Sequence, residues 1–240
     1  YRKAKKLANI FFNTSVNDTC IKGYYPDEYI EHLTELGYDL SYMKEEDKEI
    51  FKAGTVDYLG VNAYCRFLVK PCTGRETVME VNNTGDKLQS RYPEIKDWCA
   101  LDDDPNTKKT PWGTEIYPKS VYDMLMEFKE LYPDTPIIIT ENGLGEYDIV
   151  EGEKIHDQYR INFLQGYVDW IKKAIVEGCD CRGYFVWSTM DVYSWINGYK
   201  KRYGLVYIDF DDNCKRIPKD SYHWYKEFIK EKGGSYNGKI

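Results

Sequence analysis

Residues 136–148 read PIIITENGLGEYD, an apolar run behind Pro136 that stops at Thr140-Glu141-Asn142-Gly143. Isoleucine is stiff at χ1 and favours strands, and a short run without polar alternation fits a strand covered on both faces, as in parallel sheets. Such a strand ends here by presenting a carboxylate just before a glycine. In parallel α/β folds ligands bind where strands deliver residues at their carboxyl ends, which makes Glu141 a candidate for chemistry. Spacing alone also admits an ordinary glutamate closing a strand.

Two further runs share this form. Residues 56–62 (VDYLGVN) close in Asn62-Ala63-Tyr64, and residues 182–188 (RGYFVWS) close in Trp187-Ser188. Helical spacing separates them. Val121, Leu125, Phe128 and Leu131 recur behind Pro118, and Phe163, Tyr167, Ile171 and Ala174 recur ahead of a Gly178 stop. Tyr29, Leu33 and Leu36 mark an earlier helix closed by Gly37, and Tyr222, Tyr225, Phe228 and Ile229 a final one. Strand alternating with helix is the grammar of a parallel sheet, so the three polar strand ends are expected to converge. The stretch from about Lys70 to Tyr117 has no such periodicity and reads as a long functional or mobile loop.

A strand-end glutamate beside a tyrosine, an asparagine and a tryptophan suits sugar cleavage. The carboxylate can attack an anomeric carbon, the phenol can orient it, and an indole can stack on the apolar face of a pyranose. Aromatic residues make up 16% of the 240, with 23 Tyr and 6 Trp, which fits a sugar ligand as well as ordinary packing surface. With 33 Lys and Arg against 40 Asp and Glu, the net charge of -7 offers no general attraction to nucleic acid or an anionic membrane. No apolar stretch is long enough to span a bilayer. Seven cysteines without paired CxxC units read as reduced thiols of a cytoplasmic protein. Cys179-Asp180-Cys181 is a weak metal signal with no histidine nearby, and the glycosylation triplets at Asn13, Asn17 and Asn82 carry little without a secretory signal.

The motifs TENG, DYLGVNAY, GYFVWSTMD and GYKKRYGLVYIDFDDNCKRIPKDSYHWY together resemble the carboxyl-terminal part of family 1 glycoside hydrolases, the β-glucosidase and phospho-β-glycosidase group. NIFFN and GYYP near the start extend the resemblance over essentially the whole chain. It implies an α/β fold, the (β/α)8 TIM barrel, and hydrolysis with retention of anomeric configuration. By the family pattern Glu141 is the nucleophile and Tyr64 hydrogen-bonds it, while Asn62 supports the site and Trp187 lines the glycone pocket. Gly143 would let the chain turn away without crowding the sugar. No metal or organic cofactor is implied, since glycoside cleavage needs only positioned carboxyls.

The stretch MDVYSWINGYKKRYG, residues 190–204, bears on the sugar. Ordinary β-glucosidases generally carry a glutamate where this chain has Ser194. A carboxylate would repel a substrate phosphate, whereas a hydroxyl can donate to it. Ser194, Lys201 and Tyr203 reproduce the spacing with which phospho-β-glycosidases grip a 6-phosphate, and Trp195 resembles the 6-phospho-β-galactosidase pattern. The expected substrate is a phosphorylated β-disaccharide such as phosphorylated lactose. The alternatives are a 6-phospho-β-glucosidase, an unphosphorylated β-glucosidase or β-galactosidase, and a non-catalytic piece that keeps a sugar-phosphate surface.

The family's acid/base glutamate lies in an Asn-Glu-Pro tripeptide, which does not occur in these 240 residues. Glu115, Glu127 and Glu146 occupy no matching strand end. The chain is therefore expected to be a single domain over 1–240 that supplies about strands six to eight, its partner being an upstream barrel segment on the same or a separate chain. Three strands alone would leave open edges.

Overall fold

A computed structural model describes residues 1–81 and 91–233; the triplet at Asn82 lies outside the described residues. The chain opens with α1 (Arg2–Asn9), a π-helical turn over Ile10–Thr14, and α2 (Ser15–Lys22), α3 (Asp27–Glu35) and α4 (Asp47–Ala53). The strand β1 (Leu59–Asn62) follows, then β2 (Leu68–Lys70), β3 (Val78–Glu80), β4 (Arg91–Ile95) and β5 (Cys99–Asp102). The remainder alternates: α5 (Lys119–Leu131), β6 (Ile137–Asn142), α6 (Gln158–Val176), β7 (Cys181–Val186), the hairpin β8 (Val206–Asp209) and β9 (Lys215–Pro218), and α7 (Asp220–Gly233).

The strands β1, β6 and β7 form a parallel sheet in that order. Its core-facing residues, among them Ile137 and Ile139, pack on Val121, Leu125 and Phe128 of α5 and on Phe163, Leu164, Tyr167 and Ile171 of α6. The three- and four-residue spacing selects all of these helix positions but Leu164, because i, i+4 and i+7 share one helical face, whereas Leu131, on the same spacing, is exposed. Gly178, at φ 90°, ends α6 in the left-handed conformation that costs glycine nothing. The opposite face of the sheet is open. Gly60, Thr140 and Phe185 lie there, and Phe185 is 60% exposed. Among the described residues β1 and β7 each pair on one side only within this sheet, so both edges offer unpaired backbone groups.

The first part of the stretch read as a long loop instead carries a second sheet, whose last strand ends at Asp102, while residues 103–117 are irregular. The order β2-β5-β4-β3 is antiparallel, with Leu68 opposite Asp102 and Lys70 opposite Ala100. Its core is separate: Ile95, Trp98, Cys99 and Leu101 pack on Ala8 and Ile10. Strands of three to five residues that pair across such separations leave little period-2 signal, and Pro93 sits within β4.

Among the described residues no helix is long and apolar enough to cross a membrane, and no group of three or more His, Cys, Asp or Glu is placed to hold a metal ion. All seven cysteines are free thiols.

Candidate active site

Glu141 sits level with Asn62 of the neighbouring strand, one place beyond a slip in register between Val61–Ile139 and Asn62–Glu141. Thr140 is the extra residue, a β-bulge. Without it, alternation would aim residue 141 into the core beside Ile137 and Ile139; with it, Asn142 takes the buried place and Glu141 is only half-buried. Asn142, fully buried, laces the three strands together. Its Nδ2 donates to the Ala63 carbonyl at 2.6 Å, and its Oδ1 accepts from the Tyr184 hydroxyl at 2.7 Å. The Ala63 amide donates to the Glu141 carbonyl at 2.8 Å, and the Trp187 amide to the Asn142 carbonyl at 2.9 Å. The three polar strand ends therefore converge.

Across this seam the Tyr64 hydroxyl donates to Glu141 Oε2 at 2.9 Å. The Tyr64 carbonyl is fixed from behind by the Tyr167 hydroxyl at 2.7 Å. Burial, and then the adjacent carboxylate, hold the Tyr64 phenol well above its usual range, so it remains a donor. Asn62 Oδ1 accepts from the Thr140 hydroxyl at 2.8 Å. Trp187 is 38% exposed, and its peptide to Ser188 is cis.

The φ of Gly143 is not positive, and a Cβ there would lie 1.9 Å from the Trp187 carbonyl oxygen, so the glycine makes room for the end of β7.

Tyr64, Gly143, Lys201 and Tyr203 line one cavity of about 110 Å³. Lys201 also borders a second of about 280 Å³, beside Cys65, Arg66 and Trp112. Burial pushes the Lys201 ammonium down to about 8, against an upward pull from Cys65 and Glu146. Burial raises Tyr203 to about 12 and the Cys65 thiol to about 11, so both stay neutral around Lys201. Ser194 and Trp195 border neither cavity. Ser194 Oγ accepts from the Ile196 and Asn197 amides at 3.3 and 3.2 Å, which leaves its hydroxyl hydrogen to donate. Trp195 is 96% exposed.

Several residues of this region have no sequence signal. Trp112 stacks on Tyr147, and Gly145 packs under Lys201. Only the Pro-Trp-Gly turn at 111–113, with Gly113 at φ 80°, punctuates the chain there. Glu115 is 3% exposed and engaged: Arg66 Nε and Nη2 donate to it at 3.0 and 3.2 Å, and the Thr107 hydroxyl at 2.8 Å.

The chain resembles known proteins over nearly all its length. The family model described as glycosyl hydrolase family 1 matches residues 2–234. A 6-phospho-beta-galactosidase of Leptotrichia buccalis is 38% identical over 236 residues, which is 96% of this chain and 50% of that protein. One from Staphylococcus aureus is 37% identical over 238 residues, again 96% and 50%. Among solved structures, a beta-glucosidase from Exiguobacterium marinum superposes with a TM-score of 0.79 at 29% identity, covering 96% of this chain and 47% of that one. A family 1 b-glucosidase from Thermotoga maritima gives 0.76 at 31%, covering 95% and 46%. The chain spans about half the length of the curated relatives it matches. Its parallel sheet, with a carboxylate at the carboxyl edge of β6, is thus part of a (β/α)8 barrel, and the chain belongs to glycosyl hydrolase family 1.

Proposed function

We propose that this chain is a single domain supplying the nucleophile and the phosphate grip of a retaining glycosidase that acts on 6-phospho-β-galactosides. A Glu141 oxygen attacks the anomeric carbon as the bond to the leaving oxygen breaks. That oxygen takes its proton from a carboxyl group on the remainder of the barrel, carried on the same or a separate chain. Water then cleaves the glycosyl ester, giving its proton to the same group, and frees Glu141 with retained configuration. The two carboxyl groups of such a site stand about 5–5.5 Å apart. Tyr64 orients the nucleophile, and Asn62 and Trp187 contact the sugar. Lys201, with Tyr203 and the Ser194 hydroxyl, binds the 6-phosphate, and the Trp195 indole bounds the C4 side. Phosphorylated disaccharides arise during sugar uptake, and a protein with seven free thiols suits the cytoplasm where they are found.

One observation carries the reading: Tyr64 holds Glu141 at 2.9 Å and shares a cavity with the cation Lys201. The test uses the complete barrel and a chromogenic aryl 6-phospho-β-galactoside. Glu141→Gln is expected to abolish turnover, and a slow 2-fluoro sugar is expected to label Glu141. Label on any other residue overturns the nucleophile assignment. Lys201→Ala is expected to raise KM for the phosphorylated substrate steeply and to leave unphosphorylated hydrolysis unchanged; equal losses on both remove the phosphate assignment. The names of the two relatives favour galacto over gluco substrates, and the ratio of kcat/KM on the two epimers decides it.

A further inference from the structure

Lys201, half-buried, lies against two aromatic rings. Its Nζ lies 5.0 Å from the centre of the Trp112 ring and 5.3 Å from that of Tyr203, within the range of cation–π attraction. Glu146 adds an electrostatic pull that favours the charged ammonium. Trp112 is 6% exposed and stacks on the Tyr147 ring, parallel to within 16° at a centroid distance of 4.6 Å. The lysine stem runs over Gly145, where a Cβ would come within 2.5 Å of Cε and 2.7 Å of Cγ. Three segments distant in sequence meet here: the turn at 111–113, the loop after β6, and residues 201–203.

This construction has an electrostatic consequence. A carboxylate partner would hold the ammonium in place but cancel its field, and an incoming phosphate would have to displace or tolerate a like charge. An aromatic face attracts the cation through its quadrupole and carries no net charge, so the cation keeps its field for a ligand. Ring stacking also fixes the Trp112 plane, which a lone indole facing a cavity would not do.

We propose that Trp112, backed by Tyr147 and given clearance by Gly145, is a positioning platform for Lys201 and through it a determinant of the preference for phosphorylated over unphosphorylated sugar. The inference rests on the assignment of Lys201 to the phosphate. Trp112 and Tyr147 act through Lys201 and need no contact with the reacting atoms.

The test is steady-state kinetics of the complete barrel on a matched pair of aryl β-galactosides, with and without the 6-phosphate. Trp112→Leu and Tyr147→Leu are each expected to raise KM for the phosphorylated member about 2- to 30-fold, to leave kcat within about twofold, and to leave the unphosphorylated member unchanged. Trp112→Phe, which keeps a π face, is expected to recover most of the loss. Tyr147 borders neither cavity, so its variant separates support of Lys201 from direct contact between Trp112 and a leaving group. Selective loss with Lys201→Ala but none with either leucine variant overturns the platform and leaves the phosphate assignment standing. Lys201→Ala that harms both substrates equally ends both. Leucine variants that weaken both substrates in parallel, or a phenylalanine variant no better than leucine, reduce Trp112 to a packing residue.

Discussion

The Tyr64 hydroxyl, on the loop after β1, donates to Glu141 Oε2 at the end of β6, 77 residues away, at 2.9 Å. The bond spans the seam between two parallel strands, and the Tyr64 backbone is held independently by Tyr167. Removal of the hydroxyl should therefore leave the backbone in place. A hydrogen bond to a charged group contributes about 1.5–3 kcal/mol, so Tyr64→Phe is expected to lower kcat/KM about 10- to 100-fold with an unchanged melting temperature. An unaltered kcat/KM would show that Glu141 is oriented without the phenol.

The pH dependence follows from Lys201, pushed by burial to about 8. A substrate phosphate is largely dianionic above its second pKa of about 6. The ammonium is charged below 8 and neutral above it, so kcat/KM for the phosphorylated substrate is expected to fall through pH 8, by about tenfold per unit in the limit. The Cys65 thiol, raised to about 11, and the Tyr203 phenol, raised to about 12, do not titrate in that window. Lys201→Met is expected to abolish the alkaline limb. A limb of the same position and slope in that variant would assign it to another group.

Gly143→Ala places a methyl group against the Trp187 carbonyl, and because both partners are backbone, one strand end must move. Overpacking of this kind costs about 1–3 kcal/mol, and displacement of Glu141 by about 1 Å costs about 10²-fold in rate. The expected result is a loss in kcat that exceeds the loss in stability, read by kinetics and denaturant titration of one preparation. Full activity would mean that the strand ends give way without moving Glu141.

Behind the site lies a buried ion network. Arg160, fully buried, pairs with Asp157 and with Asp148 at 3.0 Å and donates to the Arg202 carbonyl at 3.1 Å. Lys219 pairs with Asp148 and, at 3.1 Å, with Asp191. Arg160→Met leaves Asp157 without an ion-pair partner among the described residues, while Asp148 keeps Lys219, and is expected to cost about 3–5 kcal/mol in a denaturant melt. The double variant Arg160→Met with Asp157→Leu is expected to recover part of that. A single variant within about 1 kcal/mol of the parent would show that water reaches the network.

Much of the site was legible because it depends on local rules. An isoleucine run with a polar end, helices with apolar faces at i, i+4 and i+7, and glycine stops placed β1, β6 and β7 and put Glu141, Tyr64 and Trp187 at their ends. The second sheet was not legible, since β2 finds β5 across a long separation and neither strand alternates for long enough to show a period.

By itself the sequence determined the parallel β/α grammar, the carboxylate at a strand end and the family, because periodicity and motif order are properties of the chain read along its length. The tertiary structure alone decided the bulge at Thr140 that turns Glu141 out of the core, the close approach of Gly143 to the Trp187 carbonyl, and the meeting of Trp112, Gly145 and Tyr147 around Lys201. Those are contacts between segments far apart in the chain, fixed by packing and burial, and no local spacing encodes them.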